Sequence, residues 1–148
     1  MTTTAPTANG RVIALAHYAA RALLEGVLVR HGATFQHSVT LRAVVVAGES
    51  IGRDELAADV AGSLKTDVSV VRDVVGELTV AKLLEEDAAD ASRVRLTDAG
   101  RDLYESTTAE TAEISARLYA GIPAEDLAVA GRVLTLVTER ANAELAGA

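Results

Sequence analysis

The most versatile side chains in this chain are three histidines, His17, His31 and His37, which lie along a predicted first helix and on the approach to the second. Imidazole binds metals and titrates near neutral pH, so two histidines one helical turn apart would indicate a metal site. The spacings here, 14 and 6 residues, match no such pair, and the sequence has no cysteine to complete a zinc site. We therefore expect neither a metal site nor a cofactor.

Catalytic constellations are also missing from the sequence. It has no cysteine nucleophile, no serine and histidine at a recognisable nucleophile elbow, no glycine-rich dinucleotide fingerprint and no phosphate-binding loop. The carboxylates are spread along predicted helices as solvated faces and are not paired at one site. The sequence therefore predicts a protein that binds a partner and is not an enzyme.

Arginines offer the remaining chemistry. Arg72 lies on a predicted helix, opposite its apolar stripe, and Arg93 and Arg95 share one face of a predicted strand because side chains alternate along a strand. Guanidinium groups bind phosphates and hydrogen-bond guanine edges. Each arginine is therefore a candidate nucleic-acid contact, and the alternative is a solvated ion pair of little energetic value.

Composition limits these interpretations. The chain has 148 residues, of which 49% are hydrophobic and only 3% aromatic, which suits one domain with a core of Ala, Val and Leu. The net charge is −7, so any nucleic-acid contact must come from a local basic patch. We expect residues 1–10 to be a disordered tail and not a signal peptide, no apolar run of membrane-spanning length, and a cytoplasmic location.

Periodicity predicts helices and one short hairpin. The predicted helices cover about 11–30, 52–61, 68–80 and 98–120, and a last helix begins at Pro123. Two short strands, at 83–84 and 94–96, surround a polar tip at 87–92. We expect Asp67 to cap the 68–80 helix, on which the expected core residues are Val71, Val74, Val75 and Leu78. Residues 39–46 are ambiguous, because β-branched density favours a strand whereas Ser38 is a plausible helix cap.

This order of elements resembles the winged helix-turn-helix of MarR-family transcription regulators over about residues 11–145. The residues that carry the resemblance are Glu55-Leu56-Ala57 on the first helix of the helix-turn-helix, Asp90 and Arg93 in the wing, Leu96-Thr97-x-x-Gly100-Arg101 after it, and Ile122-Pro123-x-Glu125-Asp126-Leu127 at the start of the last helix. The resemblance also favours a helix over 39–46.

The fold that the resemblance implies is mainly α with a small β-wing. It is one domain over 11–148, in which a winged helix-turn-helix at about 36–101 is flanked by N- and C-terminal dimerisation helices at about 11–31 and 102–147. The implied protein is a homodimer that binds double-stranded DNA at a pseudo-palindromic operator. It would be a ligand-responsive repressor.

The resemblance also implies two sets of site residues. The expected DNA-binding residues are Lys65, Thr66, Ser69, Val70, Arg72, Asp73, Arg93 and Arg95, of which Arg93 would enter a minor groove with Asp90 bracing it. The expected residues around a small aromatic or carboxylate effector are His17, Arg21, His37 and Arg42, because an arginine can clamp a carboxylate bidentately.

Some residues depart from the family pattern. Lys82 replaces the usual glycine before the first wing strand, and residues 65–101 hold six basic and eight acidic residues. A DNA-reading module is usually more basic than this. The alternative is therefore a winged-helix dimer with weak or lost DNA binding that acts in protein interaction or small-molecule sensing. A merely helical structural protein would lack the wing hairpin.

Overall fold

The computed structural model describes residues 4–148, which form two compact units divided between Glu113 and Ile114. The elements are α1 (Gly10–Arg30), α2 (Phe35–Val46), β1 (Ser50–Gly52), α3 (Arg53–Leu64), α4 (Val68–Val80), β2 (Leu84–Glu86), β3 (Arg93–Leu96), α5 (Asp98–Tyr119) and α6 (Ala124–Ala146). Of the predicted tail, residues 1–3 lie outside the described residues, and 4–9 form neither helix nor strand. The mainly α fold with a small β-wing is confirmed.

A three-stranded antiparallel sheet forms the wing and its base. β3 lies in the middle and pairs with β1 on one side and β2 on the other. Val94 and Leu96 are buried, while Arg95 between them is exposed and Arg93 is half-buried, so alternation along β3 places both arginines on the face away from the core. The predicted hairpin and the shared face of its arginines are thus confirmed.

One apolar core joins the helix-turn-helix to this sheet. α4 contributes the predicted buried stripe, Val71, Val74, Val75 and Leu78. It packs against α2, α3 and β2. The remaining core residues are Leu41, Val44, Ile51, Leu56, Ala57, Val60, Ala61, Leu84, Val94 and Leu96. Because α4 is fixed through its apolar side, its polar side must face away from the core.

Residues 39–46 fold as a helix despite their β-branched content. Thr40, Leu41 and Val44 are buried on one side of α2, so packing against the core outweighs the weak local preference for a strand. The helix begins earlier than predicted, and Ser38 is not its cap. Thr34 caps it: its hydroxyl accepts the His37 N–H at 3.1 Å, and His37 Nδ1 accepts the Thr34 N–H at 3.2 Å.

The start of the last helix also differs by one residue from the prediction. Pro123 occupies the N-cap position, and α6 begins at Ala124. The prediction placed proline at the first helical position, where its fixed φ and missing N–H are tolerated. One residue further out the same properties are equally harmless, since the helix uses only the carbonyl of the N-cap residue, which here accepts the Leu127 N–H at 3.2 Å, and needs no N–H from it.

The segment where the wing returns to α5 is closely packed. The Thr97 hydroxyl accepts the Gly100 N–H at 3.0 Å and donates to the carbonyl of Lys82 at 2.7 Å. A Cβ at Gly100 would lie 2.2 Å from the carbonyl oxygen of Leu83, a distance that no side chain can occupy. Lys82 itself has φ +61°, in the left-handed backbone region that favours glycine.

Several helices leave large apolar side chains uncovered. On α1, the exposed group includes Leu15, Tyr18, Leu23 and Val29, and on α6 it includes Leu127, Val129, Val133, Leu134, Leu136, Val137 and Leu145. Only Val27 and Leu28 of α1 are buried, and no residue of α6 is buried in the part of the chain that the structure describes. Exposed apolar side chains gathered on two helices are typical of a surface that contacts another molecule.

α1 also corrects the expectation that no segment is long and apolar enough for a membrane span. It is 21 residues long, and an 18-residue window within it has a mean hydropathy of 1.6. By length and composition alone it could cross a membrane. A helix whose apolar residues are covered by another protein chain has the same composition.

Gly100→Ala should destabilise the fold by about 1–3 kcal/mol, because the added methyl group overpacks against backbone. The matched control is Gly76→Ala on α4, where a Cβ has no neighbour within 4 Å. That change should stabilise by about 0.5–1 kcal/mol, since alanine restricts the unfolded chain and favours a helix. Urea denaturation at one protein concentration compares them, and an equal effect of both changes would contradict the close approach at Gly100.

Candidate nucleic-acid interface

The turn between α3 and α4 is held mainly by its own backbone. Lys65 ends α3 with φ 57° and ψ 46°, and the Thr66 N–H donates to the carbonyl of Ala61 at 3.1 Å. The ammonium of Lys65 donates to the carbonyl of Gly62 at 2.7 Å, so its charge lies over the turn, and it forms no ion pair with any residue of 4–148. Lys65 and Thr66, both predicted phosphate contacts, are therefore placed at the entry to α4.

Asp67 sets the start of α4. Its Oδ1 accepts the Ser69 N–H at 2.8 Å, which is the N-cap arrangement that the sequence predicted. Hydrogen bonding to Ser69 lowers the pKa of the Asp67 carboxyl, and the charge of Arg72 lowers it further. The cap therefore fixes where the helix begins, and the buried stripe of α4 fixes which of its residues point outward.

The outward arc of α4 carries the predicted base-reading residues. Ser69, Val70, Arg72 and Asp73 are all exposed, and Gly76 leaves the next turn without a side chain. Hydroxyl, methyl, guanidinium and carboxylate groups on one helix face are groups that major-groove base edges can bind. The exposure of these four residues agrees with the sequence-based assignment, and their contact with DNA stays a prediction.

The wing tip is tied by carboxylates. Asp90 Oδ1 accepts the N–H of Ser92 at 3.0 Å and its hydroxyl at 2.6 Å, and hydrogen bonding to Ser92 lowers the pKa of Asp90. The Arg93 side chain bonds elsewhere: its Nε donates to the Ser50 hydroxyl at 3.3 Å, and that hydroxyl donates to Asp87 at 3.3 Å. Asp90 thus shapes the tip and holds the backbone of Arg93, whose N–H donates to the Asp90 carbonyl at 3.0 Å, while the Arg93 side chain bonds to Ser50 and not to the Asp90 carboxylate.

A clamp at the base of the wing was not foreseen from the sequence. Arg101 donates from Nε and a terminal nitrogen to the two carboxylate oxygens of Glu49, both at 2.8 Å, and from its other terminal nitrogen to Asp98 at 2.8 Å. This bonding lowers the pKa of Glu49. Glu49 has φ 73°, and its carbonyl accepts the Leu96 N–H. The motif that contains Arg101 is recognisable in the sequence but this ion pair is not, since Glu49 lies 52 residues away from Arg101.

Carboxylates of the same chain contact three arginines at this surface. Arg95 Nε lies 2.7 Å from Glu85, Arg53 lies 3.3 Å from Glu86, and Arg72 lies 3.7 Å from Asp54. We call Arg53, Arg72 and Arg95 the paired arginines. Arg93 is in no ion pair within residues 4–148. Most of the guanidinium groups at this surface therefore already have a carboxylate partner.

The predicted effector residues lie on α1 and α2. The guanidinium carbon of Arg21 lies 4.0 Å from the centre of the Phe35 ring, and its Nε donates to Glu25 at 2.8 Å. His37 Nε2 lies 2.7 Å from a Glu77 carboxylate oxygen, which links α2 to α4. Arg21 of α1 thus packs against the first residue of α2, His37 lies in the first turn of α2, and both have partners within the chain.

The other two predicted effector residues are more separate. His17 is exposed one turn before Arg21 on α1, with its ring centre 6.0 Å from that of Tyr18. Arg42 is exposed about two turns into α2. No cluster of three or more potential metal ligands occurs among residues 4–148. The effector role of the four residues stays a prediction.

Comparison with solved structures places this fold. The S. aureus MepR–DNA complex matches with a TM-score of 0.73 and 18% identity, covering 90% of this chain and 96% of that chain. A Rhodococcus sp. RHA1 MarR-family transcriptional regulator matches with a TM-score of 0.71 and 18% identity, covering 86% and 90%. Bordetella bronchiseptica BpsR, whose DNA binding is regulated by 6-hydroxynicotinic acid, matches with a TM-score of 0.69 and 23% identity, covering 87% and 97%.

The similarity is one of structure, since no protein-family model matches the sequence and no curated protein matches it significantly. The matches extend over nearly the full length of both chains. They therefore include the helices that flank the winged helix-turn-helix as well as the winged helix itself. This chain has the MarR winged-helix fold.

The cap of α4 should make stability depend on pH. Because folding lowers the pKa of Asp67, its contribution is present above the ordinary aspartate pKa and is lost as pH falls through the lowered value. Asp67→Ala should therefore lower the urea midpoint at pH 7 and have a progressively smaller effect in acid. The control, Asp73→Ala, removes an exposed carboxylate of the same helix. Identical pH profiles for both variants would contradict the cap.

Proposed function

We propose that this chain is a MarR-family transcription regulator that binds double-stranded DNA as a homodimer. The observation that carries the proposal is the position of four exposed residues on α4, Ser69, Val70, Arg72 and Asp73, beside a wing that presents Arg93 and Arg95. The arc of α4 would enter a major groove, and the wing would reach the adjacent minor groove. Lys65 and Thr66 would position the helix on phosphates.

The homodimer is supported by the uncovered apolar residues of α1 and α6. A helix with no buried residue, such as α6, does not gain stability from its own chain, and a second copy offers a matching apolar surface. Two copies would present two α4 helices, which favours a pseudo-palindromic operator with half-sites about one helical turn apart. The apolarity of α1 is then explained by the dimer, in a cytoplasmic protein.

We further propose that the protein is a repressor released by a small aromatic or carboxylate effector. DNA binding of BpsR, which has the same fold, is regulated by such a molecule, 6-hydroxynicotinic acid. In this chain the link from α2 to α4 runs through His37 and Glu77. A ligand that engages His17, Arg21, His37 or Arg42 would therefore act close to the support of α4.

The second candidate function is a winged-helix dimer with weak or lost DNA binding that acts in protein interaction or small-molecule sensing. It is favoured by the paired arginines and by the net charge of −7. The two candidates differ in one property that can be measured directly, which is sequence-selective affinity for DNA.

Fluorescence anisotropy with duplexes from the DNA that flanks the gene, at two salt concentrations, tests the proposal. We expect selective, salt-sensitive binding relative to scrambled duplexes. Arg72→Ala should weaken selective binding by roughly 1–3 kcal/mol if Arg72 reads a base edge. The control, Arg117→Ala, removes an arginine of α5 outside the interface. Absence of selectivity in a folded, ligand-free dimer would favour the second candidate.

Leu134→Asp should dissociate the dimer, because it places a charge in the apolar stripe of α6. The matched control is Arg132→Gln, which changes the net charge equally but lies about 200° around the helix from Leu134. Sedimentation velocity gives the mass of each variant. A dimer that survives Leu134→Asp unchanged would exclude this stripe of α6 as the interface.

A further inference from the structure

The ion pairs of the candidate interface have a consequence for DNA binding. Arg72 and Arg95, on the surface proposed to face DNA, and Arg53, beside the wing tip, each contact a carboxylate, and we call Asp54, Glu85 and Glu86 the partner carboxylates. Both members of each pair are solvent-accessible; the side chain of Asp54 is 91% exposed. Each partner carboxylate therefore lies against an accessible guanidinium to which a phosphate could otherwise bind.

The pairing is built into the fold at the wing. Glu85 and Arg95 are directly opposite in the register of β2 and β3, so their side chains are neighbours whenever the hairpin forms. Arg53 is held near the wing tip by the bond from its N–H to the carbonyl of Ser92, which brings its side chain to Glu86. Strand register and backbone bonding thus keep these two carboxylates close to their arginines.

We propose that the partner carboxylates are an autoinhibitory device that competes with DNA phosphate for the paired arginines. This inference rests on the proposed function and names how the same surface is restrained. A guanidinium that turns toward a phosphate loses contact with its carboxylate, which then lies less well paired beside the DNA backbone. Lys65 and Arg93, which have no carboxylate partner within residues 4–148, supply the initial attraction.

The device also alters salt dependence. DNA binding normally releases about 0.9 cations for each phosphate neutralised. An arginine already neutralised by a carboxylate releases fewer, because the freed carboxylate recruits a cation in its place. The chain should therefore bind DNA with a shallower salt dependence than its number of basic residues implies.

The test measures binding to a fluorescein-labelled duplex of random mixed sequence, about three helical turns long. Non-specific binding depends on phosphate contacts, so no operator is needed. The test variant is Asp54→Asn/Glu85→Gln/Glu86→Gln. The control is Asp59→Asn/Glu105→Gln/Glu113→Gln, which removes as much negative charge from exposed residues outside these three ion pairs and thus measures the effect of net charge alone.

We expect the test variant to bind about 10-fold or more tightly than the control, since each exposed pair accounts for up to about 5-fold. Its salt dependence should be steeper by up to about 0.9 for each additional phosphate that an arginine neutralises. The gain from Glu85→Gln should also vanish in an Arg95→Ala background. Circular dichroism and sedimentation confirm that each variant is a folded dimer.

Equal affinities of test variant and control, or a gain from Glu85→Gln that persists without Arg95, would overturn the inference. The wild type would remain a regulator if it still selected its flanking DNA. Conversely, a wild type without sequence selectivity, whose test variant gains affinity for the random duplex, would refute the regulator and support the autoinhibitory device. No binding of any variant at low salt would overturn both.

Discussion

Burial of one side of α4 is the constraint on which the rest of the structure depends. Val71, Val74, Val75 and Leu78 recur at helical spacing and pack against α2, α3 and β2. Once that side is fixed, the opposite arc must face solvent, and the Asp67 cap fixes where along the chain the arc begins. The outward residues are therefore positioned by apolar contacts that they do not themselves make and by the cap that joins Asp67 to the Ser69 N–H.

The wing depends on a second set of constraints at its base. The Glu49–Arg101 clamp joins the turn before β1 to the first turn of α5, and the close approach at Gly100 sets that turn against the carbonyl of Leu83. Lys82 accepts an unfavourable backbone conformation so that the chain can enter β2. The wing is thus anchored at its base, while Asp90 and Ser92 shape only its tip.

Much of the fold could be predicted from the sequence because its signals are local. Three features depend on residues close in the chain: the buried stripe of α4, its cap, and the alternation along β3. All three were predicted correctly. The cap of α2 was missed because Thr34 uses the rare partner His37 in place of glutamate. The ion pairs were not specified either, since Glu49, Asp54 and Glu86 meet arginines that only the tertiary fold brings near.

The net negative charge of the chain by itself opposes DNA binding, but part of that charge lies in carboxylates that pair with arginines. Carboxylates are placed against individual arginines at the wing and α4, so the surface is restrained without losing its basic residues.

Hydroxyl-radical footprinting on a duplex that the protein binds selectively tests most directly the central claim, that a dimer binds DNA through two α4 helices and their wings. We predict two protected tracts on one face of the DNA, about one helical turn apart, with minor-groove protection beside them. A single tract, or none, from a folded dimer would contradict the account.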